Sequence, residues 1–372
     1  MNIKKSNKYI YLLFICIFIF YIFAWFILPD SFFLAPFRES QTAISAYYLV
    51  NNIYSIFSYQ TPIMGWPWSL PFEFPFYQTI LSIFSEIDIN SIRNNGRFLS
   101  LCFFLLTIIV WKYITIELGF RGKQRLTFLI IFLISPVYFN YSFAVMIESA
   151  AIFLASVYLL FSLKFVNKNS LVFLVIALLF GLLASLTKVT TWFGFGTFLS
   201  LYIFYVYYNR ELNFYKCMIL ISIYLLPCLS FALFWTSYTD NIKELSPISE
   251  LITSQNLTEW NYGSFHQKTN ILFWVYVLLK SSVMILGAVL FSAIFNIKKL
   301  FYKHINNHEK FLFFIFFVSY LAPIIVFSNL HMRHDYYAYA NGLFLIGAIS
   351  IVFGDKFLNR YPKNYFLLTV SM

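Results

Sequence analysis

Apolar stretches of about 17–25 residues, the length that crosses a bilayer as a helix, recur along the whole chain. Ten of them can be placed, at about 9–28, 98–116, 126–145, 148–166, 170–187, 189–208, 216–236, 271–295, 311–329 and 336–354. The connections inside 126–166 and inside 170–208 are very short, so tight helical hairpins are expected there. The pattern predicts an all-α fold: one polytopic transmembrane bundle of about ten spans, forming a single integral-membrane domain over 1–372. Two longer polar segments interrupt the rhythm, 29–97 and 237–270. The first is not a plain linker. Apolar residues recur at helical spacing within about 39–57, as in Ala43, Ala46, Tyr47 and Val50, and again within 76–86. These stretches predict helices lying in the membrane interface. Between them fall Pro62, Pro67, Pro71 and Pro75, with Trp66 and Trp68. The stretch 9–28 is longer than a signal-peptide core and no small-x-small site follows it, so it reads as a retained signal anchor. Residues 365–372 begin like a further apolar span and then stop, which leaves open a naturally short end or a missing final helix.

Charge assigns the two sides. With the N-terminus inside, basic residues collect in the segments 1–8, 112–125, 164–168, 210–216, 298–310 and 356–363, and the same side holds only Glu117, Glu211, Glu309 and Asp355 of the 15 acids. That is the positive-inside pattern, with both termini cytoplasmic. The net charge of +11 is therefore a topology signal, and a nucleic-acid partner is excluded. The chain is 60% hydrophobic and 11% charged, so each charge near the membrane needs a reason. Cys16, Cys102, Cys217 and Cys228 all lie in apolar stretches with no CxxC or zinc-like spacing, and read as small core residues.

The other acids lie on the opposite side, in 29–97, in 237–270 and in short turns, and five motifs meet there. They are Arg38-Glu39 with Thr42-Ala43; Glu73 between Pro71 and Pro75; Glu148 in the turn before the fourth span; Lys188 at the end of the fifth; and His331-Met-Arg333-His334-Asp335-Tyr336-Tyr337 before the tenth. Each has a plain structural reading. Glu39 and Glu148 suit helix N-termini, Lys188 can snorkel, the tyrosines can belong to an aromatic belt, and Glu73 can tie a loop. Taken together, carboxylates and cations from distant parts of the chain on one side of one membrane mark a substrate path. Such a set suits transfer from a phosphate leaving group. A carboxylate removes the acceptor proton, cations stabilise the departing phosphate, and aromatic faces stack on a sugar. Lys280 is the main charge deep inside a span.

The order of these motifs resembles the GT-C membrane glycosyltransferases, in particular the protein O-mannosyltransferase and aminoarabinose-transferase-like group. The resemblance runs from about residue 9 to 354. It rests on Arg38-Glu39, Glu73-Phe-Pro-Phe-Tyr77, Gly96-Arg97, Glu148, the Gly181–Lys188 stretch and His334-Asp-Tyr-Tyr337. It implies an inverting transferase at the periplasmic face of a bacterial inner membrane. The donor would be a polyprenyl-phosphate-linked sugar, and the acceptor a lipid-linked glycan, lipopolysaccharide or protein. Carried over residue by residue, Glu39 is the candidate base and Glu148 the second acid, with Glu73 in reserve. Lys188, with Arg38, Arg333 or His334, would bind the carrier phosphate, and Tyr336 and Tyr337 would line the pocket. Many relatives carry Asp-Glu in the first motif, where this chain has Arg38-Glu39. No metal is required on this reading, although three acids facing one pocket leave a divalent ion possible. Two rivals stay open: a polysaccharide polymerase, which would place long arginine-rich loops later in the chain, and a non-enzymatic flippase or transporter, which would show broken helices or repeat symmetry.

Overall fold

The computed structural model describes residues 19–27, 31–51, 53–64, 68–209, 213–284, 287 and 306–360, with the side chains of 53, 54 and 355–360 excluded. Most of the 9–28 stretch, Trp66, Pro67 and the 365–372 tail lie outside the described residues. Helices dominate. Helix α1 covers 19–27, and the first long loop then folds into α2 (Pro36–Asn51), a 3-10 turn (Ile53–Ser58) and α3 (Phe76–Ile83). The next helices are α4 (Ile89–Glu117), α5 (Gly122–Ile134), α6 (Pro136–Tyr141), α7 (Glu148–Lys168), α8 (Leu171–Asn209) and α9 (Phe214–Lys243). Three short helices follow, α10 (Pro247–Glu250), α11 (Thr258–Tyr262) and α12 (Phe265–Thr269). The chain ends in α13 (Ile271–Met284), α14 (Asn307–Val326), α15 (Ser328–Arg333) and α16 (Tyr337–Arg360). The β pairing among the described residues is one antiparallel bridge, Gln60 to Ser69.

Six of these helices are long and apolar enough to cross a membrane. One of them, α8, carries two spans. Its 39 residues would reach about 58 Å if straight, at roughly 1.5 Å per residue, far more than a bilayer core of about 30 Å. Lys188 breaks it, with φ −163° and ψ 93°. Gly181, before the break, packs on Cys228, and Gly196, after it, packs on Leu225. Residues 15 positions apart can meet the same turn of α9 only if the chain reverses between them. The two expected spans at 170–187 and 189–208 are therefore the arms of one hairpin, with Lys188 at its tip. The α7–α8 connection is equally tight, and closes through Asn169 in the left-handed region at φ 53°.

Several boundaries differ from the sequence reading, each for a local reason. Asp88 caps α4 by accepting from the Ser91 N–H, so that helix starts at Ile89, nine residues early. Pro136 cannot continue a helix from α5, and the expected 126–145 span is split at Ser135. The second long loop starts late, because α9 runs on to Lys243. Pro323 lies near the end of α14, and the helix gives way after Val326 to the separate turn α15.

Burial sorts the helices into layers. The apolar windows of α7 and α16 are 78% and 94% buried, whereas those of α8 and α9 are 33% and 28% buried. In a bilayer the lipid-facing helices can be the more apolar ones, as α8 and α9 are, and α7 and α16 form the inside of the bundle. Trp111 of α4 is fully buried, donates to Ser156 Oγ of α7 at 2.9 Å, and stacks on Phe128 at 5.0 Å. Small residues set the closest approaches. A Cβ on Gly181 would come within 2.8 Å of Tyr158 and 2.9 Å of Cys228 Sγ. The end of the bundle away from the long loops is tied by Arg121 and Gln124, which both donate to Glu309.

Gly181→Leu should force α7, α8 and α9 apart, and overpacking of this kind costs about 1–3 kcal/mol. A thermal unfolding scan of detergent-purified protein should show a lowered Tm, whereas Leu179→Met, at an exposed position of the same helix, should leave it unchanged.

Candidate functional site

The long-loop end of the bundle brings the sequence motifs together through the chain reversal at Lys188. The Leu186 carbonyl, two residues before the break, accepts the Phe74 N–H at 3.1 Å. That bond lays the Pro71–Pro75 loop against the hairpin tip. Glu148 is the first residue of α7 and stands opposite. Its Oε1 lies 2.5 Å from Lys188 Nζ, and both side chains are buried. The ammonium also sits over the rings of Tyr336 and Tyr337, 4.8 and 4.3 Å from their centroids. Desolvated contacts of this kind hold a cation by about 2 kcal/mol or more. Lys188 thus has a carboxylate on one side and two aromatic faces on another, which is not the geometry of a snorkelling lysine.

A second ion pair lies alongside. Arg38 of α2 donates to Glu73 Oε2 at 3.1 Å and to Gln41 Oε1 at 2.9 Å. Gln78 of α3 donates to the other Glu73 oxygen at 3.2 Å. Tyr59 donates to the Glu73 carbonyl at 2.8 Å and accepts the Phe72 N–H at 2.9 Å, which fixes the loop's shape. Burial works against the Arg38 charge, but Glu73 and Glu148 outweigh it and hold the guanidinium above its ordinary pKa. The two pairs are therefore electrostatic neighbours, and Arg38 remains a fixed cation. Three buried polar atoms here have no partner among the described residues: Glu148 Oε2, Thr187 Oγ1 and Gln78 Oε1. Native interiors rarely leave such atoms unmet, so a group of them calls for an explanation.

Glu39 is placed differently from the base role expected of it. Its carboxylate is buried, and it accepts backbone N–H groups from Leu34 at 3.1 Å, Ala35 at 3.2 Å and Val145 at 3.1 Å. The first two are the segment that enters α2, and the third is the turn before α7. Both oxygens are engaged in joining those two segments, so this geometry is that of a loop-fastening residue. The physical reason is local: an acid in the first turn of a helix meets unpaired N–H groups. Arg97 of α4 closes the same corner by donating to the Ser31 carbonyl at 2.7 Å.

The His331–Tyr337 motif also divides. Helix α15 points His331 inward, where burial pushes its imidazole down to about 3, with Lys280 and Lys188 adding to the effect. Arg333 follows two positions later, about 200° around the helix. It is exposed and makes no ion pair or hydrogen bond with the Arg38–Lys188 cluster among the described residues. The structure thus leaves Arg333 outside the contacts that join Lys188, Glu148, Arg38 and Glu73. His334 is half-buried and stacks on Tyr336 at 5.0 Å. Burial, then Lys188 and Lys280, lowers its pKa and keeps it neutral. No group of three His, Cys, Asp or Glu side chains with a metal-binding arrangement occurs among the described residues. Gln78 and Tyr59 escaped the sequence reading, because neither stands out as a charge or a repeat.

No protein-family model matches the chain, and neither does any curated protein. A solved structure does: ArnT from Cupriavidus metallidurans, bound to undecaprenyl phosphate. It superposes with a TM-score of 0.61 at 13% identity, over 97% of this chain and 62% of ArnT. The chain has a GT-C fold. At that identity the likeness shows the fold alone, and the chain spans less than two thirds of ArnT's length. The GT-C architecture expected from motif order is the one found, with its long-loop end holding the Lys188–Glu148 and Arg38–Glu73 pairs.

Removing the Glu39 carboxylate would leave three N–H groups without this partner, that of Val145 buried and those of Leu34 and Ala35 partly so, and a hydrogen bond to a charged group is worth about 1.5–3 kcal/mol. Glu39→Ala should therefore lower the Tm clearly and loosen residues 31–36 to limited proteolysis. An unchanged Tm would show that the carboxylate does not fasten the loop.

Proposed function

We propose that this protein is an inverting, polyprenyl-phosphate-dependent membrane glycosyltransferase. The observation that carries the reading is Glu148. One of its oxygens lies on Lys188, and the other is buried and unmet, beside a second cation and within a GT-C fold. ArnT, which shares that fold, was solved with undecaprenyl phosphate bound. The donor is a sugar on a polyprenyl phosphate, and the acceptor is a lipid-linked glycan, lipopolysaccharide or protein. The charge pattern of the loops favours cytoplasmic termini and a site on the opposite side, and the likeness to ArnT favours a bacterial inner membrane, which makes that side the periplasm.

The roles follow from the contacts. Lys188 and Arg38 hold the carrier phosphate, and they supply the positive charge that a divalent ion would otherwise bring. Tyr336, Tyr337 and His334 offer aromatic faces beside it. Glu148 Oε2 takes the proton of the acceptor hydroxyl as its oxygen attacks the anomeric carbon. The bond from that carbon to the phosphate oxygen breaks, and its electron pair leaves with the polyprenyl phosphate. Glu73 keeps Arg38 aimed, and Glu39 holds the loop that carries Arg38. The base role expected of Glu39 passes to Glu148 because Glu39 is committed to three backbone groups. Thr187 and Gln78 present a free hydroxyl and a free carbonyl oxygen, partners suited to a hydroxylated ligand.

Purified protein given a set of polyprenyl-phosphate sugars should consume one of them and pass its sugar to a membrane-derived acceptor. If every donor is merely moved across a vesicle bilayer, the transferase reading fails. Glu148→Gln should lower the rate by about 10²–10⁴-fold, the usual contribution of a general base, while donor binding persists. Retention of full activity would reassign the base. Lys188→Met should weaken donor binding and leave the acceptor KM unchanged; equal binding by this variant would remove Lys188 from the phosphate site.

A further inference from the structure

Lys280 lies in α13, an otherwise uncharged and mostly apolar helix, and its side chain is 12% exposed. A buried ammonium in an apolar segment is costly and needs strong partners. It has three. Nζ donates to the His331 carbonyl at 2.7 Å and the His334 carbonyl at 2.9 Å, and it pairs with Asp335 Oδ1 at 3.0 Å. The Asp335 side chain is 67% exposed, so solvent screens that ion pair, and the weight falls on the two carbonyls. They belong to the C-terminal end of α15, where a helix has carbonyls without intrahelical donors and a partial negative charge.

The opposite side of α15 is also held. Ser328 Oγ donates to the Tyr262 carbonyl at 2.8 Å, and Asn329 Nδ2 donates to the Trp260 carbonyl at 2.9 Å. The Trp260 ring meets His334 edge to face at 6.0 Å, and His334 stacks on Tyr336. The segment 334–337 is therefore clamped between α13 and the loop that carries α11. Tyr336 and Tyr337, two and three residues beyond the second carbonyl that Lys280 grips, are the rings on which Lys188 rests.

We propose that Lys280 is a positioning residue: it closes the C-terminal end of α15 and thereby fixes the Tyr336 and Tyr337 rings against the Lys188 ammonium. A methionine would fill the same volume of α13, so packing does not require a lysine there. The consequence for ligands rests on the reading of Lys188 as a phosphate cation. With the clamp open, the rings drift, the ammonium is no longer aimed, and a carrier phosphate binds less well.

The test uses full-length protein in nanodiscs, with wild type, Lys280→Met, Lys280→Arg and Asp335→Asn compared. Backbone hydrogen exchange is read at 331–337, with α7 as the control, and binding is measured with undecaprenyl phosphate as the probe. Exchange at 331–337 should rise in Lys280→Met alone, with binding about tenfold weaker, a change of roughly 1.4 kcal/mol. Lys280→Arg should restore both, and Asp335→Asn should stay near wild type. Unchanged exchange in Lys280→Met would overturn the proposal, as would a rise that spreads through α7, which marks a general folding defect. An Asp335→Asn loss equal to that of Lys280→Met would also overturn it, because the ion pair would then be the clamp. If Lys280→Met does not insert, Lys280→Gln is read in the same way. Should wild type bind no undecaprenyl phosphate, the carrier reading falls, while the exchange result still decides the clamp.

Discussion

The buried contact between Lys188 and Glu148 is the constraint on which the rest of this end of the molecule depends. Two charges inside an apolar bundle cost several kcal/mol each to desolvate, and removing one partner of such a pair typically costs about 3–5 kcal/mol. The fold therefore has to bring them together. It does so by reversing α8 at Lys188, which puts the ammonium at a hairpin tip, and by starting α7 at Glu148. The Leu186 carbonyl beside the reversal receives the Phe74 N–H, and so the hairpin tip becomes the dock for the Glu73 loop. One break in one helix thus assembles both ion pairs.

Around that centre the structure is built in supporting shells. Glu39 and Arg97 pin the entry to α2, Tyr59 shapes the Glu73 loop, and Lys280 grips the end of α15. These residues carry charge or hydroxyl groups as the site does, yet the bonds by which they hold the chain run to backbone. A carboxylate that accepts three N–H groups holds chain segments in register, whereas one with an unmet oxygen has capacity for a ligand. That distinction separates Glu39 from Glu148, two acids that look equivalent when only their neighbours in sequence are known.

The fold was legible because a bilayer imposes lengths and a charge bias that a linear pattern records directly. The short gap at 187–189 predicts the hairpin, and the residues at its tip are recognisable because charge is rare in such a chain. What sequence could not convey was partner choice. Arg38 beside Glu39 reads as one charged motif, but successive helical residues point about 100° apart, and they serve different ends: Arg38 faces Glu73 and Glu39 faces backbone. Arg333 and His331 diverge for the same reason. Lys280 was visible as a deep charge, but its partners are carbonyls, which carry no sequence signature.

The charge balance of the site bears on how a ligand would enter it. Arg38 is matched by Glu73 and Lys188 by Glu148, so two cations face two carboxylates at short range. A phosphate arriving there meets no unneutralised positive charge and has to compete for cations already paired. On the proposed reading this competition is useful. A phosphate that draws Lys188 away from Glu148 removes the cation that weakens this carboxylate as a base, Oε2 included, at the moment a donor is present, so proton removal from an acceptor becomes coupled to occupancy of the donor site. The aromatic faces of Tyr336 and Tyr337 matter in that exchange, because they hold the ammonium wherever its anionic partner changes. A lysine kept only by its carboxylate would follow the phosphate freely, whereas one seated on two rings moves over a short and defined path.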